Sequence, residues 1–180
     1  LTKGIGHTEF KDSELGRIPK SWDIVSLDSV SKIIMGQSPN SSSYNNNRVG
    51  LPFFQGKTDF GDYFPMARIW CSKPLKVAPV SSILLTVRAP VGDINITKEE
   101  CCIGRGLAAI QAESINSDFL FENLKFLKNK FNFYSQGTTF EAINQSDLKS
   151  FKIMKPSLSE QKKIITILKS INNNASISNV

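Results

Sequence analysis

The run from Gly50 to Thr58, GLPFFQGKT, is the part of the chain that most resembles a chemical motif. A phosphate-binding loop has the pattern G-x-x-x-x-G-K-[ST], in which backbone N–H groups surround the phosphates and the lysine reaches them. Here five residues, not four, separate the two glycines, and the proline and paired phenylalanines between them are more typical of a strand. The spacing therefore argues against nucleotide hydrolysis and leaves Lys57 as a lone cation at a strand end.

The other reactive residue types do not form a catalytic pattern. The only histidine, His7, is near a polar N-terminus, which argues against histidine-based acid–base chemistry. Glu99 and Glu100 are adjacent in a predicted turn, so solvated surface acids are the simpler interpretation. Gly104-Arg105-Gly106 lacks the third glycine of a dinucleotide-binding fingerprint, and no amide–Pro–Pro–aromatic motif of a methyltransferase occurs. A binding module explains these features better than an enzyme does.

The cysteines and the hydropathy of the chain indicate a folded protein of the cytoplasm. Three cysteines occur, Cys71, Cys101 and Cys102, and their odd number and spacing favour neither a disulfide framework nor a zinc site. Hydrophobic residues make up 40% of the 180 residues, which suffices for a core. No run approaches the ~20 apolar residues of a membrane helix, and no secretory leader is visible.

The charge of the chain favours polyanionic partners. The formal net charge is +6 and the pI is about 9.3. Nine lysines lie between residues 125 and 169, at positions 125, 128, 130, 149, 152, 155, 162, 163 and 169. Lysines of this kind contact DNA phosphates without reading sequence, but a solvated lysine face that serves solubility is an equal alternative.

Short strands separated by turns dominate the centre of the chain and predict a mixed α and β fold. Apolar segments near residues 32–35, 51–54, 67–70, 75–77, 83–88, 93–97, 101–103 and 107–111 read as strands, with 83–88 apolar on both faces. A long polar loop, residues 36–50, interrupts them and is of a length that is usually functional. Ser117 is a candidate cap for an amphipathic helix over residues 118–132, whose apolar stripe packs on the sheet.

The C-terminal region predicts a loop, a strand and a helix in that order. A polar Gly-Thr loop spans residues 135–143, and a strand follows near Phe151. Ser157 and Glu160 have capping-box spacing and mark a helix start. Ile164, Leu168 and Ile171 share one face of this helix and predict an apolar seam that pairs with a partner helix.

Five short motifs occur along the chain in a fixed order. They are Leu15-Gly16-Arg17-Ile18-Pro19 with Trp22, Gly36-Gln37-Ser38-Pro39, Val87-Arg88-Ala89-Pro90-Val91-Gly92, Gly104-Arg105-Gly106-Leu107, and the run over residues 134–168. Together they resemble a target recognition domain in the specificity subunits of type I restriction–modification systems, over about residues 8–172. The resemblance implies an α+β fold, in which a β-rich twisted-sheet recognition domain with a packed amphipathic helix precedes the start of a long coiled-coil helix. It divides the chain into a linker or tail (1–14), the recognition domain (15–155) and the start of a conserved spacer helix (156–180).

The same resemblance implies a non-catalytic protein that reads one half-site of double-stranded DNA. Arg88 and Arg105 are the candidates for bidentate contact with guanine. The amide side chains of Gln37, Gln136 and Asn144 are candidates for adenine, and the hydroxyls of Ser38, Thr138 and Thr139 for phosphate or bases. Lys57 and the lysines over residues 125–155 are phosphate candidates. At each position a structural role in holding the loops is the competing interpretation.

The implied partners follow from the resemblance as well. They are double-stranded DNA, methyltransferase subunits, restriction subunits indirectly, and a second recognition half or a second copy of the chain through the helix. No cofactor is expected in this chain, since S-adenosylmethionine, ATP and Mg²⁺ would belong to the partner subunits. The chain would be either the C-terminal half of a full-length subunit or a natural half-length one. The alternatives are the recognition region of a fused restriction–methyltransferase enzyme and a basic scaffold that binds no DNA.

Overall fold

The computed structural model describes residues 1–135 and 142–177, with side chains described through residue 131 and over residues 142–171. The strands are β1 (Phe10–Lys11), β2 (Ile18–Pro19), β3 (Asp23–Ser26), β4 (Ser31–Met35), β5 (Tyr44–Asn45), β6 (Leu51–Phe54), β7 (Trp70–Cys71), β8 (Val77–Ala78), β9 (Ile83–Thr86), β10 (Ile94–Ile96), β11 (Cys101–Ile103), β12 (Leu107–Ala112) and β13 (Lys152–Lys155). The helices are α1 (Ser117–Phe126), α2 (Lys128–Ser135), α3 (Gln145–Ser150) and α4 (Leu158–Ile177). Short 3₁₀ turns lie at Leu27–Ser29, Ser41–Ser43 and Lys57–Asp59.

Two larger sheets form the centre of the fold. One has the strand order β10-β9-β12-β4 and is antiparallel throughout, and the other has the order β5-β7-β6-β11-β8 with β6 and β11 parallel. Two small antiparallel pairs, β1 with β2 and β3 with β13, complete the described strands. The fold class expected from the sequence is confirmed, because short strands with packed helices are what the structure contains.

Strand β9 shows why the two sheets stack. Side chains alternate between the two faces of a strand. Ile83 and Leu85 accordingly face the larger core with the helices, whereas Leu84 faces a second core shared with the five-stranded sheet. All three side chains are fully buried, which confirms the prediction of a strand that is apolar on both faces. The result is a layer of helices, a four-stranded sheet and a five-stranded sheet.

In strand β10 the polar residue is more deeply buried than its apolar neighbours, which is the reverse of the alternation predicted from the sequence. Ile94 and Ile96 are only partly buried, and Asn95 between them is 2% exposed. The Asn95 side chain exchanges hydrogen bonds with both backbone groups of Gly61, at 3.1 Å each. A buried amide is tolerated when its hydrogen bonds are satisfied. This polar residue therefore fastens the loop around residue 61 to the sheet.

The predicted amphipathic helix is two helices rather than one. α1 ends at Phe126, Leu127 takes a non-helical conformation, and α2 begins at Lys128. The cap is Asn116 instead of Ser117, because the Asn116 side chain accepts a hydrogen bond from the Phe119 N–H at 3.0 Å. The apolar stripe is nevertheless confirmed, since Leu120, Leu124 and Phe131 are fully buried in the larger core.

Helix α4 begins where the sequence predicts, but its apolar residues divide between the domain and the surface. Ile164 and Ile165 pack in the larger core and are 7% exposed. Ile167 and Ile171 are about half exposed, at 46% and 58%. Ile164 is therefore not part of an open seam, and the prediction for that residue is wrong. Over the described residues, no helix combines the length and apolar character that crossing a membrane requires.

The segment that precedes residue 15 contacts the start of α4. β1 pairs with β2, and His7 Nε2 lies 2.7 Å from Glu160 Oε1. The second Glu160 oxygen accepts a hydrogen bond from Trp22 Nε1 at 3.1 Å. Half of the predicted capping box is present, because the Glu160 N–H donates to Ser157 Oγ at 3.3 Å. The Glu160 carboxylate joins chain segments that are about 140 to 150 residues apart, and the division of the chain at residues 15 and 156 stays a prediction.

Candidate nucleic-acid interface

Loops from both sheets meet at one end of the molecule. The carboxyl ends of β4, β6, β9 and β11 and the first residue of β12 point to this end, as the strand registers require. Four segments follow or join these strands, and a fifth lies beside β9 through the Arg88–Ala142 bridge. We call these segments the five-loop end: residues 36–39, 55–57, 87–93, 104–106 and 142–144. Four of the five motifs found in the sequence are partly or wholly within it.

Two glycines allow the loops to approach one another at backbone distance. A Cβ atom on Gly36 would overlap the carbonyl oxygen of Gly104, and one on Gly106 would overlap the carbonyl oxygen of Gln55. Only glycine lets two backbones come this close. The Gly-containing motifs in the sequence therefore have a packing role, which brings loops from two different sheets together.

Backbone hydrogen bonds hold the five-loop end in shape. Gln37 N–H donates to the Ile103 carbonyl at 3.0 Å, Val87 N–H to Gly106 at 2.9 Å, and Ile143 N–H to Val87 at 2.9 Å. Less exposed side chains add to this framework, since Thr86 Oγ1 donates to the Pro90 carbonyl at 2.7 Å and the Asp59 carboxylate accepts from Gln55 N–H at 2.6 Å. Variation of the exposed side chains that take no part in these bonds is therefore compatible with one loop structure.

Three of the predicted base-reading side chains are exposed at the five-loop end. Gln37, Arg88 and Arg105 are solvent-exposed, and none makes a side-chain hydrogen bond or ion pair with the part of the chain that the structure describes. Arg105 is at the tip of the 104–106 turn, and Arg88 begins the turn between β9 and β10. Two guanidinium groups are thus available to a ligand, each with five donors.

Ser38 and Asn144 lie at the same end but have bonds within the protein. Ser38 Oγ accepts a hydrogen bond from the Arg105 N–H at 3.3 Å. Asn144 caps α3, and its side-chain oxygen accepts from the Asp147 N–H at 3.0 Å. Both side chains therefore support local structure through their oxygen atoms. Gln136, Thr138 and Thr139 lie outside the described residues.

Lys57 is not the lone cation that the sequence suggested. Its ammonium group donates to Asp93 Oδ1 at 2.8 Å, and Lys128 donates to the same oxygen at 2.6 Å. Burial raises the pKa of Asp93, but hydrogen bonds and charge from Lys128 and Lys57 outweigh it and hold the pKa below its ordinary value. We call Lys57, Asp93 and Lys128 the lysine–aspartate cluster.

Sequence reasoning missed Asp93 as a member of this end of the molecule. Asp93 is 36 residues from Lys57 and 35 from Lys128, and nothing in the local pattern connects them. The sequence signal for Asp93 is its position directly after the 87–92 motif. Asp59 was missed in the same way: its buried carboxylate accepts from Gln55 N–H at 2.6 Å and pairs with Arg68 at 2.7 Å. Both acids stabilise loop ends that carry basic residues.

The C-terminal lysines do not form one surface. Lys128 joins the five-loop end, whereas Lys130 donates to the Glu14 carbonyl at 2.9 Å. Lys169 pairs with Asp118 at 2.7 Å on the far part of α4. The prediction of lysine–phosphate contact therefore applies to a subset of these residues that the fold places beside the loops.

The three cysteines are buried and free. Burial, with the neighbouring thiols, raises the pKa of Cys101 and of Cys102 to about 12. Such thiols stay protonated at neutral pH and are poor nucleophiles and metal ligands. They contribute to hydrophobic packing. Cys101 lies in the core between the two larger sheets, and Cys71 and Cys102 lie in a third, smaller core.

Comparison with known proteins identifies the family. A sequence model described as type I restriction modification DNA specificity domain matches residues 19–179. A putative type I restriction enzyme MjaX specificity subunit of Methanocaldococcus jannaschii is 48% identical over 176 residues, which cover 95% of this chain and 41% of that protein. The MjaIX specificity subunit of the same organism is 29% identical over 181 residues, 89% of this chain and 40% of that protein.

Solved structures agree with this comparison. A chain from a structure of a type I R-M system matches with a TM-score of 0.81 and 45% identity, over 89% of this chain and 40% of that chain. The HsdS subunit from Thermoanaerobacter tengcongensis matches with a TM-score of 0.79 and 43% identity, over 93% and 41%. The chain thus spans about two fifths of the length of these relatives. It belongs to the family of type I restriction–modification DNA specificity domains.

Proposed function

We propose that this chain reads a short half-site in double-stranded DNA, as a specificity subunit or part of one. The observation that carries the proposal is the five-loop end, which contains exposed Arg88 and Arg105 and to which the lysine–aspartate cluster belongs through Lys57 and Asp93. Exposed arginines supply base readout, and lysines supply phosphate contact. Family membership favours DNA over other polyanions as the ligand.

The chemistry of readout follows from the side chains that are free. A guanidinium group pairs with O6 and N7 of guanine in the major groove, and the Gln37 amide pairs with N6 and N7 of adenine. Each good bidentate pair supplies ~1–3 kcal/mol of discrimination. Because the loops are held by backbone bonds, these side chains are presented on a rigid frame, which lowers the cost of ordering them.

Assembly with further chains would complete the recognition of a full DNA site. Since relatives are more than twice as long, a second recognition half or a second copy of this chain would supply the other half-site. The exposed Ile167 and Ile171 of α4 suit contact with another helix. Methyltransferase and restriction subunits would carry S-adenosylmethionine, ATP and Mg²⁺ and perform catalysis in the cytoplasm. This chain would select the DNA sequence at which they act. Neither a fused methyltransferase nor a scaffold without DNA binding is supported by the family match.

Methylome sequencing tests the proposed function directly. A host that carries the gene together with its methyltransferase subunit is expected to show one methylated motif that disappears when the gene is deleted. The Arg105→Ala variant is expected to abolish or relax that motif while the protein still accumulates. An unchanged methylome after deletion of the gene would reject the proposal.

A fluorescence titration with a labelled duplex tests DNA binding without the partner subunits. Affinity is expected to fall steeply as salt rises from ~50 to ~200 mM, because each phosphate contact releases a counterion. Affinity that does not change with salt would exclude phosphate contact.

A further inference from the structure

The lysine–aspartate cluster brings two ammonium groups from distant elements to one oxygen atom. Lys57 comes from the 3₁₀ turn after β6, and Lys128 begins α2. Both groups donate to Asp93 Oδ1, at 2.8 and 2.6 Å, and the Asp93 side chain is only 12% exposed. The lysine side chains are themselves about half exposed, at 49% and 46%. A shielded carboxylate therefore holds two cations that face solvent.

Each ammonium group has donors left over. A lysine ammonium has three N–H donors and no acceptor, and Asp93 takes one donor from each lysine. Two donors per lysine remain, directed away from the carboxylate. Since one carboxylate neutralises one of the two cations, the cluster keeps a net charge of +1.

The cluster lies in a cleft that a charged group can enter. The cleft has a volume of about 160 Å³, and its charged lining residues are Lys57, Asp62, Asp93, Lys125 and Lys128. Three lysines against two aspartates leave a net charge of +1. This volume is several times the ~10–15 Å³ that a cavity needs in order to hold one water molecule. The cleft therefore suits a small anion that carries about one negative charge.

The position of the cleft connects it with the five-loop end. Gly92, which precedes Asp93, lies against Lys128, because a Cβ atom there would be 3.2 Å from the Lys128 carbonyl oxygen. The same turn carries Arg88, and Gln55, two residues before Lys57, contacts Gly106 next to Arg105. The cleft thus shares one loop with Arg88 and is linked through Gln55 and Gly106 to the turn of Arg105, so a duplex read by these arginines could place its backbone at the cleft.

We propose that Lys57 and Lys128, held by Asp93, form a binding site for a single phosphodiester group of the DNA backbone. We call this site the seat. The proposal rests on the proposed function and adds a specific contact to it. Asp93 is a positioning residue that directs both lysines to one phosphate and removes the excess charge. A phosphodiester carries one negative charge, which matches the net charge of the cluster. The seat fixes the register of the domain on the duplex and reads no sequence.

The salt dependence of binding tests the seat. The 180-residue chain is titrated with a fluorescein-labelled duplex of mixed sequence at a series of salt concentrations, and log K is plotted against log salt. One neutralised phosphate contributes about −0.9 to the slope. Lys57→Gln and Lys128→Gln are each expected to reduce the slope by about 0.9, because Asp93 neutralises the lysine that remains. The triple variant Lys57→Gln, Lys128→Gln, Asp93→Asn, in which the cluster is neutral, is expected to lose about the same amount as each single variant, since only one phosphate is involved.

Matched variants separate this contact from general charge and from misfolding. Lys57→Arg and Lys128→Arg keep the charge, so the slope is expected to stay at the wild-type value. Lys32→Gln changes an exposed lysine near the other end of β4 and is expected to leave the slope unchanged. Circular dichroism confirms that each variant is folded.

The outcomes distinguish the seat from the proposed function. A triple variant that loses about 1.8 in slope would show two separate phosphates and reject the shared seat. Unchanged slopes in the single variants, with a steep wild-type slope, would reject the seat and leave DNA binding standing. A flat wild-type slope would reject the proposed function itself.

Discussion

The five-loop end and the junction between the N-terminal segment and α4 differ in how many exposed side chains they leave unbonded. At the five-loop end, backbone hydrogen bonds hold the loops, and Gln37, Arg88 and Arg105 are left free among the described contacts. At the junction between the N-terminal segment and α4, side chains form the bonds. There Trp22 and Glu160 connect the two segments, and we call this region the helix junction.

At the helix junction, polar side chains are hydrogen-bonded within the protein. Glu160 accepts from Trp22 Nε1 and from the Ile5 N–H, and it contacts His7. Next to it, Gln161 is fully buried and bonds to the Asn116 N–H and the Pro156 carbonyl, at 2.8 Å each. The difference indicates that Gln37, Arg88 and Arg105 can change with little effect on the fold, whereas the bonded side chains at the helix junction cannot.

The largest expected effect is the loss of the aromatic anchor of the helix junction. Trp22 is fully buried in the larger core and hydrogen-bonded. Trp22→Ala is expected to destabilise the protein by ~3–5 kcal/mol, as for other deleted aromatic side chains in cores. Urea unfolding followed by circular dichroism measures this change. Phe126→Ala, which removes an aromatic side chain that is half exposed, is the control and should cost far less.

A smaller effect is expected when the carboxylate of the helix junction is removed. Glu160→Ala leaves the Trp22 indole N–H without its acceptor, and an unsatisfied buried donor costs ~1–3 kcal/mol. The same unfolding experiment applies, with the exposed Glu113→Ala as the matched acidic control. If the Glu160 and Glu113 variants were equally stable, the helix junction would not depend on its side chains, and the comparison would fail.

At the five-loop end, we expect substitutions to change DNA discrimination more than the free energy of unfolding. Arg105→Ala is expected to change the free energy of unfolding by no more than ~0.5 kcal/mol, as for other surface substitutions. Binding to the correct half-site should weaken by ~1–3 kcal/mol relative to mismatched duplexes. Arg105→Lys retains the charge but lacks the planar fork, so discrimination should fall while the salt slope is kept. A large loss of stability in either variant would show that Arg105 supports the loop instead.

The smallest expected effect concerns pH at the lysine–aspartate cluster. The pKa of Asp93 in the folded protein is below the ordinary 3.8, so its ion pairs stabilise the fold above that pH. This contribution is lost as the pH falls from 3.8 through the folded pKa. Unfolding measured between pH 7 and 2 should show a smaller pH dependence for Asp93→Asn than for wild type. Asp12→Asn, at an exposed carboxylate, serves as the control and should match wild type.

Local pattern was sufficient for the central strands of the two larger sheets, whereas the predicted strands at 67–70 and 75–77 overlap β7 and β8 by only one residue each. The strands β6 and β11 have the predicted bounds, and β4, β9 and β12 differ by one or two residues. Alternating or continuous apolar residues report burial directly, so they predict strands well. The prediction of one helix over residues 118–132 was wrong at Leu127, because a helix break depends on what the next turn packs against.

The candidate site was predicted only as a set of loops. The Gly- and Pro-containing motifs marked residues 36–39, 87–92 and 104–106, but their spacing along the chain does not show that they meet. Asp93 and the pairing of Lys57 with Lys128 could not be predicted, since residues 35 to 36 positions apart have no periodic relation. The same holds for Glu160, whose capping-box spacing predicted a local bond, whereas its carboxylate bonds to residues more than 130 positions away.

By itself, the sequence determined the class of this protein: a basic, β-rich domain with a C-terminal helical segment and a resemblance to type I specificity domains. Order, spacing and apolar periodicity are local properties, and short-range sterics and burial act on them directly. Only the tertiary structure decided which side chains form contacts within the protein and which are exposed to a ligand. That division depends on contacts between distant segments, above all the backbone approach at Gly36 and Gly106 and the shared oxygen of Asp93.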